Sequence, residues 1–351
     1  MAYHIALIPG DGIGKEVIPE GVRALEKLAG EFNFKVVFSE FPFSCEHYQT
    51  YGKMMPDDGI EQLKEFDAIL LGAVGDPAVP DHISLWELLI PIRRQFKQYV
   101  NLRPVRLLPG IHTPLAHRGE ADIDFIIIRE NVEGEYSQVG GRLYNGTEHE
   151  MAVQETIFTR IGVDRILRYA FEKAQSRPKK HLTSATKSNG IIHTMPFWDE
   201  RFKAISREFP DVRTDQYHID ILTAHFVQHP DWFDVVVASN LFGDILSDLG
   251  PAVAGGIGIA PSANLNPEKQ FPSMFEPVHG SAPDIAGKGI ANPMATLWSV
   301  VMMLDFLEQR KASQRLMDAI EAVAREGNAL TPDLGGTAST RRCADAVLDK
   351  L

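Results

Sequence analysis

The sequence predicts an α/β protein with a largely parallel sheet, and three observations predict it. Short apolar or β-branched runs alternate with helix-period stretches near the N-terminus, the alternation resumes in the middle, and the C-terminal part closes on two helices. HIALI, from His4, reads as the first strand. The amphipathic stretch 15–28 follows as a helix expected to end near Gly30, and KVVF and AILLGAVG supply the next strands. In the middle, DFIIIRE from Asp124, HLTSATK from His181 and DVVVAS from Asp234 read as strands, with helices such as 163–174 between them. Asn292 followed by Pro293 reads as N-cap and first helical residue of an apolar helix through Phe306. A last helix, 312–325, stops at Gly327. Between Tyr136 and Thr156, Asn145-Gly146 signals a hairpin, either a surface hairpin or an arm exchanged with a second subunit. No internal repeat, low-complexity tract or flexible linker interrupts this order.

Composition narrows the function classes. The 351 residues suffice for one large or two ordinary domains. A formal net charge of -12 opposes nucleic acid and anionic membrane surfaces, so an anionic substrate has to meet a local cluster of Arg and Lys. Cys45 and Cys343 lie far apart, which gives neither a disulfide framework nor a zinc spacing and suits a reducing compartment. The N-terminus enters a strand without a signal-like apolar segment, and no run approaches the roughly 18 apolar residues of a membrane span. A cytoplasmic location is therefore expected.

Several clusters are candidates for chemistry. Gly10, Gly12 and Gly14 sit between a strand and a helix, but their spacing fails the dinucleotide fingerprint. They make either a tight turn or a cofactor loop of another design. FEPVHGSAPDIAGKGIANP, 275–293, is a second Gly-rich loop, in which Asp284 could accept hydrogen bonds from a ribose diol. In VASNLFGDILSDLG, Asp244 and Asp248 are spaced i and i+4 just after a strand. Helical geometry stacks these carboxylates on one face, which makes either a solvated surface or an all-oxygen site suited to Mg2+ or Mn2+. Arg93, Arg94, Arg103 and Arg129 offer planar guanidinium forks for carboxylates, although each is individually compatible with an ordinary surface ion pair. Lys187 and Tyr136 are similarly open.

Together, LIPGDGIG, NLRP, RENVEGEY, TKSNG, NLFGDILSD and EPVHGSAPDIAGKGIANP closely resemble the metal-dependent β-decarboxylating dehydrogenases. That family comprises the isocitrate, isopropylmalate, homoisocitrate and tartrate/D-malate dehydrogenases, and the resemblance covers essentially the whole chain. It implies the isopropylmalate dehydrogenase-like two-domain fold, which is not a Rossmann fold, with a mixed sheet and a dimer arm at 136–156. Residues 1–100 and 256–351 would form the larger, cofactor-binding domain, and 101–255 the smaller domain for substrate, metal and dimerisation.

Carried over by resemblance, Arg93, Arg103 and Arg129 hold the substrate carboxylate, and Leu89 faces the carbon-3 substituent. Asp244 and Asp248 bind Mg2+ or Mn2+ with Asp220 of a second subunit in a homodimer. Lys187, also from the second subunit, draws the hydroxyl proton, and Tyr136 protonates the enolate after CO2 leaves. Asn189 lies near the nicotinamide. Glu276, His279, Gly280, Ser281, Ala282, Asp284, Ile285 and Asn292 form the cofactor loop, where Asp284 and Ile285 imply NAD because NADP-specific members resemble one another in carrying Lys and Tyr. The resemblance also leaves room for a monovalent cation.

The segment before Arg93 bears on the substrate, a small dicarboxylate. Isocitrate enzymes place Ser and Asn where this chain has Glu87 and Leu89, so a third carboxylate is disfavoured. Leu89 and Ile90 are compatible with 3-isopropylmalate. Trp86 stands where isopropylmalate enzymes commonly carry Glu, and its bulk is expected to shrink the pocket. SLWELL resembles the tartrate/D-malate branch, which implies D-malate to pyruvate and CO2, or tartrate to oxaloglycolate. A non-catalytic regulatory subunit is the alternative of another class, but such chains are expected to lack some of the groups kept here.

Overall fold

The computed structural model describes residues 2–351. Ten strands form one sheet: β1 (Ala2–Gly10), β2 (Lys35–Glu40), β3 (Ala68–Ala73), β4 (Val100–Arg106), β5 (Asp124–Glu130), β8 (His181–Thr186), β9 (Arg213–His218), β10 (Val235–Ala238), β11 (Pro261–Leu265) and β12 (Ser273–Pro277). Between β5 and β8 in the chain, a separate hairpin pairs β6 (Gly140–Leu143) with β7 (Met151–Gln154). The sheet order is β2-β1-β3-β12-β11-β4-β5-β10-β8-β9. The expectation of a largely parallel sheet holds on both flanks. Its centre differs, because β12-β11, β11-β4 and β4-β5 are antiparallel. The first five strands of that order come from the two ends of the chain and the other five from its middle.

Helices cover the faces because their apolar positions repeat at helical spacing. The first, Gly14–Phe32, buries Val17, Ile18, Ala24, Leu25 and Leu28. It runs past Gly30 and ends where Asn33 turns left-handed at φ 56° and donates its N–H to the Ala29 carbonyl. Helix Met294–Phe306 is apolar around most of its circumference and is accordingly buried between β12 and the helices Gly14–Phe32 and Arg310–Glu326. Burying a side chain such as Leu297 there contributes about 2 kcal/mol. This helix begins one residue later than expected: the Asn292 side chain accepts from Met294 N–H, and Pro293 is the boundary residue. The same core continues to Phe125, Phe226 and Phe233, whose ring centroids lie 4.8 to 5.9 Å apart.

The hairpin is present, but Asn145-Gly146 does not make a two-residue turn. The connection runs over 144–150, with Tyr144 and Gly146 both at positive φ, and both strands are exposed. Among the described residues no helix is long and apolar enough to cross a membrane.

Candidate active site

RENVEGEY, which ends β5, is positioned by its own acidic residues. The carboxylate of Glu135 accepts from Ser239 Oγ at 2.7 Å and Leu241 N–H at 3.0 Å, so a negative charge caps the N-terminus of helix Asn240–Val253. Glu133 similarly accepts from Thr159 N–H and Oγ1 at the start of helix Arg160–Gln175. Asn240 Nδ2 donates to the Glu133 carbonyl. These bonds fix the loop that carries Tyr136. Gly243 lets the helix close onto β5, since a Cβ there would sit 2.5 Å from Arg129 Cβ.

That close approach places Asp244 against Arg129. Arg129 Nη1 donates to Asp244 Oδ1, while its Nε and Nη2 hold Asn240 Oδ1 at 3.0 and 2.7 Å. The Tyr136 hydroxyl donates to Asp244 Oδ2 at 2.8 Å. Arg103, on β4, donates to Ser247 Oγ at 2.7 Å and lies 3.4 Å from Asp248 Oδ1. Arg93, on helix Ile90–Gln95, pairs with Glu276 Oε1 at 3.0 Å. The three guanidiniums and Tyr136 line one cavity with Asp244, Asn240, Leu85, Leu89, Glu276, His279 and Gly280.

The three arginines are buried, and desolvation is the largest influence on Arg103 and Arg129. Burial, opposed by Asp244 but reinforced by Arg103 and Arg93, pulls Arg129 down to about 10. Arg103 is lowered for the same first reason. Nε of Arg93 and of Arg103 are buried without hydrogen-bond partners. Such a crowd of cations with spare donors is matched by a ligand that brings carboxylates. Burial disfavours the Asp244 anion, but Arg129, Arg103, the Tyr136 hydrogen bond and Arg93 outweigh it and hold the carboxyl below its usual value. Burial and the Asp244 charge push Tyr136 up to about 12, which keeps the phenol protonated.

Asp248 stands one helical turn beyond Asp244. Desolvation and the Asp244 charge raise its pKa, against the pull of Arg103. A cation between the two carboxylates would relieve that repulsion, and an oxygen-only pair suits Mg2+ or Mn2+. Asp220 is elsewhere: its Oδ1 takes Lys187 Nζ at 2.7 Å, and that hydrogen bond lowers its pKa. Lys187, Asn189 and Asp220 are not among the residues lining the cavity. Among the described residues, no group of three or more His, Cys, Asp or Glu is arranged to hold a metal within one chain.

The two glycine clusters meet. Gly12, at φ 52°, has no room for a Cβ, which would fall 2.0 Å from the Ser281 carbonyl oxygen. Ile13 N–H donates to that carbonyl at 2.9 Å, and Gly287 N–H donates to Glu16 Oε1 at 2.6 Å. The first helical turn thus holds the loop 281–287 at both ends, and Ala282, Ile285 and Ala286 pack on Ile13, Val17 and Ala291. Asp284 is exposed on this loop. Its carboxylate, on a backbone held from behind, has no hydrogen-bond partner among the described residues and can accept from the vicinal hydroxyls of a ligand. Asn292 also ties to Asp333, by Nδ2 to Oδ2 at 2.9 Å. Burial lowers the pKa of His279, whose ring stays neutral with Nδ1 on the Gly280 carbonyl.

Two expectations about the selecting segment are corrected. Glu87 is exposed and does not line the cavity, so the apolar character there comes from Leu85 and Leu89. Trp86 does not narrow the cavity either. Its ring lies over Arg94, 5.2 Å from the guanidinium carbon to the ring centroid. The cause is local: Leu85–Leu89 is a wide π turn in which Ile90 N–H reaches back to the Leu85 carbonyl, and Pro91 has no N–H for Glu87. Glu16, Glu133, Glu135 and Asn240 also serve the site. The sequence alone does not single them out, because their partners lie far along the chain.

A profile of the isocitrate/isopropylmalate dehydrogenase family matches residues 4–347. The chain is 62% identical to the D-malate dehydrogenase [decarboxylating] of Escherichia coli K12, over 98% of this chain and 97% of that protein. It is 58% identical to the tartrate dehydrogenase/decarboxylase of Pseudomonas putida, over 100% of this chain and 98% of that protein. A crystal structure of isocitrate dehydrogenase from Methylococcus capsulatus superposes with a TM-score of 0.88 at 30% identity, covering 99% of each chain. This chain belongs to the isocitrate/isopropylmalate dehydrogenase family.

Proposed function

We propose that this chain is an NAD-dependent, divalent-metal-dependent dehydrogenase of a small 2-hydroxy dicarboxylate, oxidising and decarboxylating D-malate to pyruvate and CO2, and/or oxidising tartrate to oxaloglycolate. The observation that carries the reading is the cavity in which Arg93, Arg103 and Arg129 converge beside the Tyr136–Asp244 pair. The names of the similar E. coli and P. putida proteins support oxidative decarboxylation of a hydroxy acid.

In this reading the arginines hold the substrate carboxylates, and Leu85 and Leu89 offer no partner to a third one. Lys187 of a second copy accepts the hydroxyl proton, and Tyr136 delivers a proton to the carbon from which CO2 has left. Asp244 and Asp248, with Asp220 of the second copy, would hold Mg2+ or Mn2+, which supplies Lewis-acid polarisation of the substrate oxygens. The loop carrying Asp284, with Asn189, would hold NAD, which would supply the hydride acceptor. A homodimer is supported by apolar side chains left exposed beside these groups: Ile221 next to Asp220, Leu241 and Ile245 along the Asp244 helix, and Leu143 and Met151 on the hairpin. The two-domain division would fall at the seam between β11 and β4.

The apolar wall of Leu85, Leu89 and Ile90 favours 3-isopropylmalate as a second reading. NADH formation by the purified protein with Mn2+ and D-malate tests the proposal. A regulatory chain would give none.

A further inference from the structure

Arg94 follows Arg93 in sequence, but its guanidinium is occupied differently. Nη2 donates to the main-chain carbonyl of Tyr136 at 2.6 Å, Nε to that of Val132 at 3.3 Å, and Nη1 to Gln138 Oε1 at 3.4 Å. All three nitrogens are therefore committed to the segment 132–138. No carboxylate forms an ion pair with Arg94 among the described residues. Trp86 lies over one face of the guanidinium and belongs to the π turn that also presents Leu85 and Leu89 to the cavity.

We infer that Arg94, clamped by Trp86, is a positioning residue that fixes the Tyr136 loop to the substrate-selecting turn, a role that rests on the reading of Tyr136 as proton donor. A planar fork can hold two carbonyls of one loop at fixed separation, whereas an ammonium supplies a single charge centre on a flexible stem. The phenol oxygen lies at the far end of its side chain, so a small rotation of the Tyr136 backbone is magnified at the hydroxyl. A displacement of about 1 Å at a reacting group is enough to cost on the order of a hundredfold in rate. The same clamp makes the wall that chooses the substrate and the group that completes the reaction move as one body.

The test is oxaloacetate decarboxylation with Mn2+ by the full-length enzyme and by Arg94→Lys, Tyr136→Phe and the double variant. Arg94→Lys lowers kcat about tenfold with KM within about twofold, and adds little to the loss already present in Tyr136→Phe. Trp86→Leu probes the clamp from the ring that lies over the guanidinium, and lowers the same kcat about threefold. A loss of equal factor in the wild-type and Tyr136→Phe backgrounds would overturn the inference, because Arg94 would then act independently of the phenol. So would a rise in KM of about tenfold at unchanged kcat, which would make Arg94 a substrate contact. Wild-type kcat in Trp86→Leu would remove the clamp. If Tyr136→Phe itself leaves kcat unchanged, the proton-donor reading fails and takes the inference with it.

Discussion

Tyr136 and Asp244 are joined by a hydrogen bond of 2.8 Å from the phenol to Oδ2, while the other carboxylate oxygen takes Arg129. One side chain of the helix Asn240–Val253 therefore orients both the proposed proton donor and one of the arginines proposed to hold the substrate. If Asp244 is the proposed metal ligand, its substitution disturbs Tyr136 and Arg129 as well, so Asp244→Asn should impair decarboxylation even when metal is saturating.

Metal removal gives a cleaner test of the carboxylate site. Chelation should abolish turnover, and Mn2+ or Mg2+ should restore it, whereas Asp248→Asn should raise the metal concentration required by at least about tenfold. Full activity in a preparation verified to be metal-free would remove the site from the reaction.

The division of labour between Lys187 and Tyr136 separates the half-reactions. Lys187→Ala should suppress D-malate oxidation while sparing decarboxylation of supplied oxaloacetate to a greater degree, since only oxidation needs the hydroxyl proton removed. Tyr136→Phe should show the opposite bias. Removing a general acid or base typically costs about a hundredfold or more in the step that uses it. Equal losses in both half-reactions for both variants would contradict the assignment.

Cofactor choice turns on Asp284. The phosphate of NADP would face this carboxylate, and two unit charges about 5 Å apart at an effective dielectric near 20 repel by roughly 3 kcal/mol. NAD should be preferred by at least about a hundredfold in kcat/KM, and Asp284→Lys should narrow the gap. Equal use of the two cofactors by the unmodified enzyme would mean that Asp284 does not face the ribose.

Stability should depend on pH through Glu130. Burial raises its carboxyl to about 8, although the N–H groups of Glu133 and Val132 and the charge of Arg165 oppose the rise. The folded value lies above the unfolded one of about 4.3, so this contribution is full below that pH and is lost as pH rises through about 8. Glu130→Gln keeps an acceptor for the two N–H groups, and urea unfolding should show a flatter decline between about pH 5 and about pH 8. Identical slopes for the two proteins would mean that Glu130 is already ionised in the fold.

Where a local rule applies, the sequence carried the structure plainly. Spacing i and i+4 placed Asp244 and Asp248 on one helical face, and the apolar runs from His4, Asp124 and Asp234 became strands of one sheet. The mixed sheet was implied by the family resemblance, but local pattern did not reveal its antiparallel centre, because VNLRPVR and PSANL are mixed runs whose strand direction is decided only by pairing. The direction of Trp86 was hidden for a related reason: it depends on a π turn that Pro91 permits but no periodicity announces. Glu133 and Glu135 cap helices that begin at Arg160 and Asn240, too far along the chain for a capping pattern to reveal. The separation of Lys187 and Asp220 from the arginine cavity is likewise a property of tertiary structure.

In the proposed function the arginine cavity processes a four-carbon 2-hydroxy dicarboxylate. Its most direct test is a steady-state panel of D-malate, tartrate, 3-isopropylmalate and isocitrate at fixed NAD and Mn2+, read as NADH formation. D-malate or tartrate should give the highest kcat/KM, 3-isopropylmalate a lower value, and isocitrate, whose third carboxylate would meet Leu85 and Leu89, the lowest. The highest kcat/KM on isocitrate, or no turnover of D-malate and tartrate, would contradict it.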